Sequence, residues 1–240
     1  MDYAKFTKHF SAERISKYAF ATNRNKAKTM MLYKANMAVS QSFIPLICVL
    51  EVALRNNIDI ILNIHFNDSD WILNQRKGFM NDPSLQYTDK KTGKSVDNRY
   101  HLKQVDAAKK KIHADNQPIT SGRIIAEQTF GFWTGMYSVH MYKILKGTPI
   151  QIFSNLPSGY GRKAISDSLN QIKDFRNRIS HHEPICFDSG KKGFSEAKRI
   201  HNLIIDVLGW IDPDIVSFLH EIDYVETSIK RMETKYNRIP

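Results

Sequence analysis

The chain has few cysteines and too few acidic residues to balance its basic ones. Its 240 residues include only two cysteines, Cys48 and Cys186, so a disulfide framework is excluded and a reducing compartment is expected. Cys48 lies in an apolar run, where we expect a buried thiol. The sequence has 35 Lys and Arg against 24 Asp and Glu, a net charge of +11. This excess favours a polyanionic partner, above all nucleic acid, although surplus Lys can also simply solvate a surface.

Signals for secretion and membrane insertion are also missing. Residues 1–9 mix charges and lack the apolar core of a signal peptide. The most apolar run, residues 43–64, carries Glu51, Arg55 and Asp59, and such charges favour a core helix over a membrane span. We therefore expect a cytoplasmic protein without a membrane partner.

The sequence has neither strand-rich regions nor a βαβ alternation, which predicts an all-α fold. We predict a single domain over residues 1–240, with a polar insertion at about 75–104 that is rich in turn residues and Lys. No H-E-x-x-H motif and no paired cysteines occur, so we predict no metal and no cofactor. The apolar spacing predicts one helix that begins at Ser11 and another that begins after Ser195. Further helices are predicted at about 29–65 with a break near Pro45, at 106–114, at 120–146, at about 165–182, at about 215–222 and at about 225–236.

Chemically active side chains are concentrated in residues 174–185, which read Asp-Phe-Arg-Asn-Arg-Ile-Ser-His-His-Glu-Pro-Ile. Arg176 falls within an apolar helical stripe, where a guanidinium needs a carboxylate, a partner chain or a phosphate. Asn177 and His181 are four residues apart and share a helix face roughly opposite that stripe. Pro184 disfavours helix at the preceding residue, so we expect the helix to end near His182. The alternative is that these are surface residues whose charge suits a helix C-terminus. The apolar stripe is formed by Ile165, Leu169, Ile172, Phe175 and Ile179.

The string from Phe175 to Ile185, with an R-x4-H spacing between Arg176 and His181, resembles the HEPN superfamily and, more narrowly, its Abi-like (abortive infection) family. Residues 50–56 and 130–133 resemble the same family, and the resemblance covers about residues 11–211. It implies a HEPN-like helical bundle, here with additional N- and C-terminal helices. It also implies a homodimer in which two copies of Arg176 and His181 converge in one cleft.

The same resemblance implies a metal-independent endoribonuclease that leaves a 2′,3′-cyclic phosphate and a 5′-OH. Such proteins serve in antiphage defence or as toxins, and some Abi-like members accompany a small noncoding RNA. His181 then suits acid–base work, because imidazole changes charge near neutral pH. Arg176 suits the phosphate oxygens, and Asn177 could orient His181 or donate to phosphate.

The residues expected to support Arg176 and His181 keep two interpretations. Glu51 could hold the Arg176 guanidinium, with Arg55 and Asn56 adding phosphate contacts, because the resembling family packs this helix against the motif. The alternative is an intrahelical ion pair between Glu51 and Arg55. His182 is the ambiguous neighbour of His181 and could be structural.

Further basic residues predict contacts with the RNA backbone, although a solvated helix face is the commoner explanation for such runs. Two other functions fit the same composition: a non-cleaving RNA-binding protein that associates with a small noncoding RNA, and a structural dimer without RNA. The basic residues predicted to bind RNA are Lys109, Lys110, Lys111, Arg162, Lys163 and Arg178.

Overall fold

The computed structural model describes residues 1–88 and 90–239. Helices dominate, which confirms the all-α prediction, and the strands described form two short antiparallel hairpins. The strands are β1 (Gln86–Thr88), β2 (Ser95–Asp97), β3 (Phe187–Asp188) and β4 (Lys191–Lys192). The α-helices are α1 (Tyr3–Phe10), α2 (Ala12–Ala21), α3 (Lys26–Ser42), α4 (Ile44–Phe66), α5 (Trp71–Asn74), α6 (Tyr100–Ala114), α7 (Ser121–Glu127), α8 (Phe130–Gly135), α9 (Val139–Ile144), α10 (Arg162–Ser180), α11 (Ser195–Ile211), α12 (Pro213–Leu219) and α13 (Val225–Asn237). Short 3₁₀ turns cover Phe79–Asn81, Pro83–Leu85 and Thr148–Ile152.

The chain divides into two compact units. The first comprises residues 1–49, 174–208 and 213–240, and the second comprises residues 50–173 and 209–212. The prediction of one domain over 1–240 stays a prediction. The motif at residues 174–185 lies wholly within the first unit.

The first unit is built around α3, which packs against α1, α2 and α13. An aromatic cluster joins α1, α2 and α3, because the Tyr33 ring lies 5.3 Å from Phe6, 5.1 Å from Phe10 and 5.2 Å from Tyr18. The predicted helix start at Ser11 is confirmed, since its side chain accepts a hydrogen bond of 3.2 Å from the Arg14 amide. Sequence reasoning missed α1, whose single buried residue, Phe6, gives too weak a period to detect in eight residues.

The break predicted near Pro45 is confirmed, since α3 ends at Ser42 and α4 begins at Ile44. The prediction that Cys48 is buried is wrong: Cys48 is exposed, whereas Cys186 is buried. The reason is helical geometry, because position 48 lies about 200° around the helix from positions 46 and 50 that face the core. The buried row of α4 consists of Leu46, Leu50, Leu54, Ile58 and Leu62.

One helical stretch in the part of the chain that the structure describes, residues 26–66, is long and apolar enough to cross a membrane. Its most apolar window has a mean hydropathy of 1.9 and is 33% buried. A single such stretch is weak grounds for a membrane span, because core helices of soluble proteins share these properties. The fully buried residues of α4 are what a core helix requires.

In the second unit, the continuous helix predicted over 120–146 is wrong. Three helices, α7, α8 and α9, take its place, with extended residues at Gln128, Thr129 and Ser138 between them. Gly135 allows a close approach between α8 and α6, since a Cβ on Gly135 would lie 3.2 Å from the His101 ring. Local periodicity does not reveal these interruptions, because the apolar residues continue across them.

The segment 75–104 is less exposed than the predicted polar insertion. Phe79, Met80 and Leu85 are buried, and the segment then forms the β1–β2 hairpin and the first turn of α6. Single apolar residues between polar ones anchor this segment. Their spacing follows neither a helical nor a strand period, so the sequence pattern does not predict their burial. Part of the prediction falls on Asp89, which lies outside the described residues.

Candidate active site

Helix α10 carries the motif, and its predicted buried face is confirmed. Ile165, Leu169, Ile172, Phe175 and Ile179 are all at most 8% exposed. Their spacing of three and four residues anchors the helix and leaves the intervening positions of its last turn less covered. Those positions include Arg176 and Asn177, which are half-buried, and His181 just beyond the helix is exposed.

The end of α10 is a Schellman motif built around His182. The His182 amide donates 3.0 Å to the Ile179 carbonyl, and the Glu183 amide donates 2.8 Å to the Arg178 carbonyl. His182 itself has φ 56°, the left-handed conformation that glycine usually supplies at this place. The helix therefore ends at Ser180, two residues before the predicted end.

His181 and Asn177 stay one helical turn apart. The His181 amide donates 2.9 Å to the Asn177 carbonyl, an ordinary helical bond made by the residue that follows the helix. Their side chains therefore lie on the same side of the last turn, as the spacing predicted.

Three hydrogen bonds hold the chain after the helix in place. The Arg178 guanidinium donates to the Pro184 carbonyl, the Arg14 guanidinium donates 3.0 Å to the His182 carbonyl, and the Asn36 side chain accepts 2.7 Å from the Ile185 amide. Arg178 was predicted to bind RNA, but this bond uses one of its donors to fix the motif. The imidazoles are thus carried by a backbone that is tied to α2 and α3.

Sequence reasoning missed Arg14 and Asn36. The sequence did carry a signal for Asn36, because this amide side chain stands between Tyr33 and Val39 on the apolar side of α3. In the structure Asn36 is only 5% exposed. A polar side chain at a core position of a helix needs a partner from another segment. Arg14 had no comparable signal, because it is an exposed residue on a surface helix.

The thiol of Cys186, directly after the motif, is not a nucleophile at neutral pH. Burial raises the pKa of Cys186 to about 12, which outweighs the opposing influence of Lys17 and Arg178. The thiol stays protonated and serves as a small apolar side chain.

The supporting residues of α4 belong to the second unit. There the Arg55 guanidinium donates 3.3 Å to the Asn56 side chain, and Glu51 and Arg55 are half-buried. The contact predicted between Glu51 and Arg176 stays a prediction.

The basic residues predicted to bind RNA are already engaged in part within the second unit. Lys111 pairs with Glu127 at 2.6 Å, Lys163 pairs with Asp167 at 2.5 Å, and Arg162 donates 2.9 Å to the Tyr137 carbonyl. Exposed ion pairs of this kind are weak and exchange readily with a phosphate. The RNA contacts of these residues, and of Lys109 and Lys110, stay predictions.

Over residues 1–88 and 90–239, no three His, Cys, Asp or Glu side chains come together as a metal site would require. His181, His182 and Glu183 are consecutive but do not form such a group. Metal independence stays a prediction that experiment must test.

Comparison with known proteins gives one match. A family model described as Abi-like protein matches residues 2–186. The match runs from α1 to the cysteine after the motif, so it includes the whole candidate site. No curated protein and no solved structure matches the chain.

Proposed function

The chain belongs to the Abi-like family, and on that premise we propose that it is a metal-independent endoribonuclease of the HEPN type that acts in abortive infection. The observation that carries the proposal is the end of α10. There an exposed imidazole, His181, follows one turn after Asn177 and the half-buried Arg176. A clamped backbone holds this group at the surface, where a polymer can reach it.

In the proposed reaction, the RNA supplies its own nucleophile. The 2′-oxygen attacks the adjacent phosphorus, the bond to the 5′-oxygen breaks, and a 2′,3′-cyclic phosphate and a 5′-OH result. One imidazole takes the proton of the 2′-OH and a second gives a proton to the leaving 5′-oxygen. Arg176 stabilises the charge on the phosphorane oxygens, and Asn177 orients His181.

Because the reaction needs two proton-transfer groups, we propose that two copies of the chain meet with their α10 ends facing. Each copy then brings one His181 and one Arg176 to a shared cleft. The fixed positive charge of the chain, +11 overall, draws RNA to it. We place this activity in the cytoplasm, where the protein would act either in defence against phage or as a toxin.

Cleavage of RNA by the Arg176→Ala and His181→Ala variants tests the proposal. We expect each variant to lose about 100-fold or more of the rate while keeping a melting temperature close to that of the parent chain. His113→Ala is the matched control for His181→Ala, because His113 is also an exposed imidazole at a helix C-terminus. Reactions in EDTA should proceed at the same rate.

Full activity in either variant would remove that residue from the mechanism. If the parent chain binds RNA but leaves it intact, and His181→Ala binds equally well, the protein is a non-cleaving RNA-binding protein. Loss of activity in EDTA would show a metal requirement.

A further inference from the structure

A groove lies beside the motif. We propose that it binds one unstacked nucleotide of the RNA, with the base against an apolar wall and the phosphate against a cationic rim. This inference rests on the proposed function and deepens it, because it assigns a recognition site next to the cleavage site. We call it the base groove, and it lies between the α1–α2 corner, α3, the start of α4 and the end of α10, all within the first unit.

The base groove has the size of a ligand site, with a volume of about 790 Å³. Its wall exposes large apolar side chains, since Met37 is 55% and Ile44 46% exposed. Phe10 adds an aromatic ring that is braced at 5.2 Å by Phe6 and at 5.1 Å by Tyr33. Bases stack on aromatic and apolar side chains of this kind without regard to sequence.

The rim of the base groove selects for an anion. Lys8, Arg14 and His182 line it together with His9, and no Asp or Glu is among the described residues that line it. The surrounding segment is strongly basic, because residues 1–28 contain seven Lys and Arg but only two acidic residues. A ligand that is flat and apolar at one end and anionic at the other matches this arrangement, and a nucleotide has that chemistry.

Two residues of the base groove hold backbone conformations that side chains rarely adopt. Ser11 has φ 61° and His182 has φ 56°, and both line the groove. Such conformations cost free energy and persist only where their surroundings fix them. The hydrogen bond from Arg14 to the His182 carbonyl, 3.0 Å long, joins the two corners across the groove.

The base groove is placed to serve the cleavage site. Ile179, Ser180 and His182 line it, and His181 stands between Ser180 and His182 in the chain. A nucleotide bound here therefore brings its flanking phosphates to the end of α10. The groove would then position the RNA beside His181 by holding one unstacked nucleotide, whichever base it carries.

Binding to the full chain tests the base groove. The probes are a short 2′-O-methyl RNA, which cannot undergo attack by the 2′-oxygen, and the four nucleoside 5′-monophosphates against inorganic phosphate. Met37→Glu places a carboxylate on the apolar wall, and Lys8→Glu reverses a rim charge. We expect each to weaken binding of the 2′-O-methyl RNA by about tenfold or more, and mononucleotides to compete far better than inorganic phosphate.

The matched control for Lys8→Glu is Lys5→Glu, one turn earlier on the exposed side of α1. The matched control for Met37→Glu is Phe218→Glu on α12. Both control positions are exposed and lie outside the base groove. They carry the same charge change, so they should weaken binding much less. Melting curves of all four variants show that the fold is kept.

The outcomes separate this inference from the proposed function. If the chain cleaves RNA but Met37→Glu and Lys8→Glu bind no worse than their controls, the base groove is wrong and the endoribonuclease stands. If mononucleotides bind and Met37→Glu abolishes that binding while no RNA is cleaved, the groove stands and the endoribonuclease is wrong. Equal competition by inorganic phosphate, or by an acidic peptide, would overturn the assignment to a nucleotide.

Discussion

At the scale of single residues, His182 occupies a position that glycine usually fills at the end of a helix. Its φ of 56° is costly for a residue with a Cβ, so the His182→Gly variant should relieve strain. We expect the free energy of unfolding to rise by about 0.5–1 kcal/mol, as measured by urea denaturation. The control is His220→Gly, an exposed histidine with an ordinary φ, which should lower stability. A less stable His182→Gly variant would show that contacts of the imidazole outweigh the backbone strain.

His101 makes stability depend on pH. Its Nε2 lies 3.0 Å from the Phe132 carbonyl, and its buried Nδ1 has no hydrogen-bond partner among the residues that the structure describes. Burial lowers the pKa of His101 from 6.5 to about 4, against the opposing effect of the Phe132 carbonyl. As the pH falls, His101 binds a proton at a higher pH in the unfolded chain than in the folded chain. Stability that is present above pH 6.5 is therefore lost as the pH falls toward 4.

The loss attributable to His101 amounts to about 3–4 kcal/mol at most, taking 1.4 kcal/mol for each pKa unit. Denaturation of the parent chain and of His101→Gln between pH 7 and pH 4 measures it. The glutamine does not titrate, so its stability should fall less steeply with acid. Parallel curves would mean that His101 titrates alike in both states.

At the scale of elements, Asp188 starts helix α11. Its carboxylate accepts 2.9 Å from the Ser195 amide and 3.2 Å from the Glu196 amide. Burial acts in the opposite direction, but these hydrogen bonds together hold the pKa of Asp188 below its usual range. The predicted cap, Ser195, is instead the first residue of the helix.

We expect Asp188→Ala to cost about 1 kcal/mol of stability, the usual effect of losing an N-terminal cap. Because the pKa of Asp188 is lowered in the folded state, the stabilisation by this cap is present above the pKa that Asp188 has in the unfolded chain. It disappears as the pH falls through the folded value. Asp206→Ala, an exposed aspartate on the same helix, is the control and should change little. Equal effects of the two substitutions would contradict the capping role.

Helices with a long apolar period could be predicted from the sequence, and others could not. The face of α10 from Ile165 to Ile179 and the break before Pro45 follow from spacing and from one proline. Helix α1 has one buried residue, and α7 to α9 are separated by residues with extended backbone. For those elements tertiary packing decides, and local sequence does not record it.

The same division applies to the candidate site. Asn177 and His181 could be placed on one side because helical geometry fixes neighbours four residues apart. The bonds from Arg14 and Asn36 join segments more than 140 residues apart in the chain. Only the tertiary structure brings such partners together, so sequence reasoning missed the clamp and the base groove.

At the scale of the whole molecule, the proposal requires two chains for each cleavage site. The inactive His181→Ala chain should therefore inhibit the parent chain by forming mixed dimers when the two are co-refolded, with RNA in excess over all chains. With His181→Ala in large excess, most parent chains pair with an inactive partner, and cleavage per parent chain should fall toward zero. Mixing the folded proteins just before adding RNA is the control, and it should leave activity almost unchanged. An unchanged rate after co-refolding would mean that each chain cleaves alone.

The most direct test of the central claim is the chemistry of the ends that the protein leaves on RNA. Purified chain is incubated with a defined RNA in EDTA, and the termini of the fragments are identified by mass spectrometry, with His181→Ala in parallel. We predict 2′,3′-cyclic phosphate and 5′-OH ends from the parent chain, none from His181→Ala, and no cleavage where the attacking 2′-OH is methylated. Fragments with 5′-phosphate ends, or cleavage at a 2′-O-methyl nucleotide, would contradict attack by the 2′-oxygen and the role assigned to His181.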